Sequence, residues 1–186
     1  MLNLQKEWHC YLKKGNSKEL IKQIPDDSID FLLTDSPYNI GKHSTGNIPL
    51  PVRTQMNNAV ADWDWVEDFL RVLKTTGNLF IFTSYNQLGR RYNCLDHRLE
   101  SSICMAPERL KEPKRPAQKP VPILKKMITI ASNENDIILD PFMGVGSTGV
   151  AALELNRKFI GFELDDIYFQ AGKKRIMEYK KYVPNL

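Results

Sequence analysis

The stretch DIILDPFMGVGSTGVAALELNRKFIGFE, residues 136–163, constrains this chain more than any other. An apolar run of strand length, 136–139, leads to Asp140. A glycine loop follows, a helical stretch continues to about residue 155, and a second apolar run, 158–162, leads to Glu163. A strand, a crossover helix and a second strand form a unit that closes only in a parallel sheet. The loop reads Gly144-Val145-Gly146-Ser147-Thr148-Gly149, a literal G-x-G-x-x-G, the pattern of a dinucleotide site. Its position opposes that reading. A dinucleotide fold carries this loop after its first strand, with most of the sheet still to come. Here one apolar run and one helix follow, so the remaining strands must come from upstream.

The chemistry of the loop opposes a dinucleotide as well. A pyrophosphate is drawn to a helix N-terminus by the helix dipole and the bare N–H groups. Asp140, followed by Pro141, sets a carboxylate beside that position. A ligand without phosphates, bearing an amino group and a positive centre, suits it better, and S-adenosyl-L-methionine has a sulfonium, an ammonium and a ribose. Glu163, at the tip of the next strand, is placed to accept both ribose hydroxyls. The plainer alternative is a tight strand-to-helix turn that Gly144, Gly146 and Gly149 merely permit. Asp140, Phe142 and Glu163 standing in register favour the ligand.

The rest of the chain supplies the expected strands and helices. Residues 9–13 read as a short strand and 17–23 as a helix capped by Ser17. SIDFLLT, residues 28–34, is a compact apolar strand between turn signals, and 63–74 has helical spacing with Gly77 just beyond its end. NLFIFTS, residues 78–84, reads as the next buried strand; a helix at 122–131, with Pro122 in its first turn, and a final helix from 165 to about 180 complete the pattern. Alternating strands and helices imply a doubly wound α/β fold with a mostly parallel sheet, a single domain over residues 1–186. Residues 85–117 fit the pattern poorly: a helix near 86–95, a weak strand near 101–105, then a basic, proline-rich connector. Three scattered cysteines give neither a disulfide framework nor a metal-ligand spacing, and no metal is expected. No signal-peptide core opens the chain and no apolar run approaches membrane-spanning length, so a cytoplasmic protein is expected, without a membrane partner. A net charge of +4 and a pI near 8.9 permit a polyanionic partner without requiring one.

The second chemical motif is TDSPYN, residues 34–39, directly after the apolar strand. Ligands of open α/β sheets sit outside the carboxyl ends of the strands. Asp35, Ser36, Pro37 and Tyr38 would therefore project together into the cleft. The Asp35 carboxylate and a backbone carbonyl near Ser36 can accept two hydrogen bonds from an exocyclic amine, and Tyr38 can stack on a planar base for roughly 1–3 kcal/mol. Two acceptors draw the amine's lone pair out of the ring and make the nitrogen nucleophilic toward a sulfonium methyl. An ordinary Asp-Ser-Pro turn explains the same residues when they are taken alone.

Together, DSPYNI early and DPFMGVGSTG late resemble the amino-methylating DNA methyltransferases of restriction–modification and phage systems. The order of the two motifs, catalytic first, is that of the family's permuted β group. QKPVPILKKMI, residues 118–128, resembles the helix that the family places before its cofactor strand, and residues 14–40 resemble its opening. The resemblance implies a circularly permuted, Rossmann-like methyltransferase fold that binds S-adenosyl-L-methionine and methylates a base flipped out of DNA. Asp35, Ser36, Pro37 and Tyr38 would be catalytic. Asp140, Pro141, Phe142, Gly144, Gly146, Ser147, Thr148 and Glu163 would hold the cofactor, joined by Asn16, Gln118 and Lys119. Aspartate at the first catalytic place favours adenine N6 over cytosine N4.

The chain departs from the family pattern at Ser36, where proline is usual, at Asn16, where an acid is common, and at Ala117, where threonine is frequent. It also has only residues 85–117 where the family places two strands, which form a hairpin, and a target-recognition region. The expectation is a connector in place of that region, with an incomplete strand 6/7 hairpin as an open alternative. DNA is the expected partner, with a homodimer or a separate specificity subunit both open. The competing function is a truncated or split remnant that binds cofactor or DNA without independent catalysis.

Overall fold

The computed structural model describes residues 9–35, 64–82 and 118–182. Five strands, β1 (Cys10–Lys14), β2 (Ile29–Thr34), β3 (Leu73–Ile81), β4 (Ile137–Asp140) and β5 (Lys158–Glu163), form one sheet in the spatial order β1-β5-β4-β2-β3. Every neighbouring pair is parallel. The helices are α1 (Ser17–Leu20), extended by a 3-10 turn at Ile21–Gln23, then α2 (Asp64–Val72), α3 (Val121–Ala131), α4 (Ser147–Glu154) and α5 (Asp166–Tyr182).

The inner strands are apolar almost throughout because helices cover both of their faces. Side chains alternate across a strand, and the sheet divides accordingly. Phe31, Leu33, Ile138 and Phe159 pack with α3, α4 and α5. Leu32, Leu139, Ile160 and Phe162 pack with α1, the 3-10 turn and α2. All eight are buried, each contributing roughly 1.5–3 kcal/mol on leaving water. The result is the expected doubly wound α/β fold.

Strand order positions the site. From β4 the chain continues to β5 on one side, and from β2 it continues to β3 on the other. The carboxyl ends of β4 and β2 therefore flank a point where the winding reverses, the crevice in which open α/β sheets bind ligands.

Two local expectations are corrected. The cap of α1 is Asn16, whose side-chain oxygen accepts from the Lys18 amide at 3.0 Å. The Ser17 hydroxyl instead donates to the Pro141 carbonyl. β3 begins at Leu73, directly after α2, with Gly77 inside the strand. Its first half is polar and partly exposed, as an edge strand allows. The expected elements at 86–95 and 101–105, and the connector at 85–117, lie outside the described residues. Among the described residues no helix is long and apolar enough to cross a membrane.

Candidate active site

Four of the polar groups singled out in the sequence stand along the carboxyl edge of the sheet. Asn16 follows β1, Glu163 ends β5, Asp140 ends β4 and Asp35 follows β2. Ser36, Pro37 and Tyr38, which continue from Asp35, lie outside the described residues.

The glycine loop turns sharply between β4 and α4. Gly144 and Gly146 take φ of 53° and 76°, the left-handed region that disfavours any residue with a Cβ. Its N–H groups are largely spent within the chain. The Met143 amide donates to the Phe162 carbonyl, and the Gly146 amide donates to the Met143 carbonyl. Those of Phe142 and Gly144 donate to the carboxylates of Asp140, at 3.1 Å, and Glu163, at 2.8 Å. A pyrophosphate needs these donors free and the carboxylates elsewhere. The loop is thus built against a phosphate ligand, in agreement with the reading from its sequence.

Asp140 is 3% exposed. Besides the Phe142 amide, its carboxylate accepts from Thr148 Oγ1 at 2.6 Å and from Thr34 Oγ1 at 3.2 Å. Hydrogen bonds to a charged acceptor are worth about 1.5–3 kcal/mol each, which helps to hold this carboxylate in a dry place. Thr34 ends β2, so its hydroxyl ties β2 to β4 one residue before Asp35. A positive ligand group complements the buried charge.

Glu163 accepts from Gly144 through one oxygen and from the Asp165 amide, at 2.9 Å, through the other. An ionised carboxylate has about four acceptor positions, and two backbone N–H groups set its orientation while leaving capacity for a diol. The residues present thus fit S-adenosyl-L-methionine: a buried carboxylate beside the loop and an oriented one at the next strand tip. Asn16 keeps its side-chain NH2 after capping α1.

Asp35 meets Lys119. The ammonium lies 2.7 Å from Asp35 Oδ2, with both side chains 14% exposed, and 4.9 Å from the centre of the Phe82 ring. Lys119 enters from the segment before α3, next to the buried Gln118.

Four contributors escaped the sequence reading. Thr34 bridges to Asp140, Phe82 underlies Lys119, Ser17 holds the Pro141 carbonyl, and Gly172 of α5 abuts the glycine loop. A Cβ at Gly172 would lie 2.9 Å from the Gly144 carbonyl oxygen. None carries a local signal, since each contact joins segments far apart in the chain.

Comparison with known proteins agrees with this geometry. A family model described as DNA methylase, of the N6/N4 type, matches residues 100–174. The type II methyltransferase M.HinfI of Haemophilus influenzae is 24% identical over 246 positions, covering 90% of this chain and 68% of that protein. Over residues 100–174 the chain is similar to the N6/N4 DNA methylases. Its fold matches M1.HpyAVI, solved with SAM, at a TM-score of 0.61 and 24% identity over 89% of this chain and 99% of the other. It matches the cytosine-N4-specific PvuII DNA methyltransferase at 0.60 and 15% identity, covering 96% and 93%. The fold is therefore the Rossmann-like fold of S-adenosyl-L-methionine-dependent methyltransferases, and that cofactor is the family's. The family match begins at residue 100 and so does not include Asp35.

Proposed function

We propose that this chain transfers a methyl group from S-adenosyl-L-methionine to the exocyclic amine of a base flipped out of DNA, adenine N6 ahead of cytosine N4. The carrying observation is the juxtaposition of Asp35 and Asp140 at the carboxyl ends of the adjacent strands β2 and β4, bridged by Thr34. That arrangement supports a methyl donor bound beside an amine acceptor.

The bound cofactor supplies an electrophilic methyl group on its sulfonium. Asp140 faces the donor's positive end, and Glu163 holds its ribose through the oxygens that Gly144 and Asp165 orient. Pro141, Phe142, Gly144, Gly146, Ser147 and Thr148 form the wall of the cradle, with Asn16 and Gln118 at its margins. Asp35 accepts a hydrogen bond from the target amine, the Ser36 carbonyl accepts the second, Pro37 fixes the turn and Tyr38 stacks on the base. Carbon-5 methylation would need a thiolate nucleophile, usually presented after a proline, and none of Cys10, Cys94 and Cys104 follows one. The catalytic-first order is that of a circularly permuted methyltransferase.

The alignment with M.HinfI favours a second reading. It extends over 246 positions although this chain has 186 residues, so that relative carries residues within the matched span that have no counterpart here. Residues 85–117 are then a shortened connector, and the chain binds cofactor while sequence-specific transfer needs a second subunit or is lost.

Incubating the chain with labelled cofactor and DNA of mixed sequence separates these readings. The first predicts transfer that Asp35→Ala lowers at least about a thousandfold while cofactor affinity stays within about threefold. Cofactor binding without transfer would select the second, and no binding would sink both.

A further inference from the structure

We propose that Lys119 is a positioning residue for Asp35, fixing the catalytic carboxylate from the side of α3 so that the target amine meets an acceptor already oriented. The inference rests on the proposed function and names a role for Lys119 other than holding the cofactor.

Three observations carry it. The Lys119 ammonium lies 2.7 Å from Asp35 Oδ2, and each side chain is only 14% exposed, so solvent does little to loosen the pair. The ammonium also lies 4.9 Å from the centre of the Phe82 ring, a cation–π distance. Phe82 is itself fixed to the catalytic strand, because its amide donates to the Thr34 carbonyl at 2.8 Å. Finally, the backbone on either side of Lys119 is held. Gln118 is buried, and Pro120, with φ −64°, caps α3 and accepts from the Leu124 amide. A lysine is usually a flexible tether with many rotamers. Here the carboxylate, the ring and the restrained backbone leave it one arrangement, directed at Asp35.

Charge alone does not account for the arrangement. A carboxylate that must polarise an amine needs a defined direction, and groups held by packed neighbours supply direction where loops do not. Asp35 is the first residue after β2, where the strand's hydrogen bonding no longer fixes it. Lys119 supplies that constraint from a different element.

The test uses the full chain with Lys119→Met, Lys119→Arg and the double variant Lys119→Met/Asp35→Asn. Methyl transfer to mixed-sequence DNA gives kcat and KM, calorimetry gives cofactor Kd, and thermal unfolding gives the midpoint. The expected result is a loss of at least about tenfold in kcat for Lys119→Met, with cofactor Kd within about threefold, and recovery of most of the rate in Lys119→Arg. A cofactor Kd that rises in step with the lost rate would assign Lys119 to the donor and overturn the proposal, as would an unchanged rate. If the wild-type chain transfers no methyl group, the proposed function fails on that result, and the unfolding arm decides on the pair. Lys119→Met should then lower the midpoint and the added Asp35→Asn should restore it, because removing one partner strands the other. Strictly additive shifts, measured against Asp35→Asn alone, would overturn the coupling.

Discussion

Asp140 shows how much one side chain settles at this site. Its carboxylate sits at the mouth of the loop, repels a phosphate, and is held by hydroxyls from two elements. Thr34→Val removes one of these hydroxyls without changing the side chain's shape. Unfolding measurements should show a loss of about 1–2 kcal/mol, and the methyl-transfer rate should fall because β2 and β4 lose their bridge. An unchanged rate would detach Thr34 from the site. Glu163→Gln is a second probe. An amide offers one oxygen where the carboxylate offers two, so one of the N–H groups of Gly144 and Asp165 must face an NH2 group. Cofactor affinity by calorimetry should fall about tenfold to a hundredfold; affinity equal to wild type would remove Glu163 from the ligand set. The places of Asp140 and Glu163 at their strand ends were legible in the sequence because each belongs to the local pattern around the glycine loop. The contact of Lys119 with Asp35 was not legible. Each residue belongs to a recognisable motif, but nothing local says that the ends of β2 and the segment before α3 meet.

Among the elements, the β4–α4–β5 unit was read almost to the residue, because a buried strand, a glycine turn and a small-residue helix all signal locally. The boundary between α2 and β3 was not. Lys74, Thr75, Thr76 and Gly77 look like the end of a helix, and they become strand only because β3 pairs with β2, where Phe31 lies opposite Asn78. The cap of α1 was also ambiguous, since Asn16 and Ser17 are both good capping residues. The choice is made from afar, by the Pro141 carbonyl that takes the Ser17 hydroxyl. The element least visible in sequence is the contact of α5 with the loop. A Cβ at Gly146 would lie 3.2 Å from both Cα and the carbonyl oxygen of Gly172, and one at Gly172 would lie 2.9 Å from the Gly144 carbonyl. Gly172→Ala gains up to about 1 kcal/mol of helix propensity but pushes backbone against backbone. The expected outcome is a cofactor affinity lowered about threefold to tenfold while the thermal midpoint moves by only a few degrees. Wild-type affinity would show that the loop yields without consequence.

At the scale of the whole molecule, the sheet mixes early and late sequence. The outer strands of the described sheet, β1 and β3, come from the first 81 residues, and the strands β4 and β5 that lie between β1 and β2 come from beyond residue 136. The end of β2 and the glycine loop after β4 thus belong to different parts of the chain and meet only in the finished sheet. Synthesis has a further consequence. β1 is the first of the described strands to leave the ribosome, yet its one neighbour in the described sheet is β5, with Tyr11 opposite Ile160. Contacts of such long range form late and slowly. A nascent chain arrested at residue 157 should therefore leave residues 10–14 open to protease, whereas in the released protein they should be protected. Equal cleavage in both would show that β1 is anchored by something other than β5. The earliest of the described strands has to wait for residues made about 150 positions later before its backbone finds the partner it has in the described sheet.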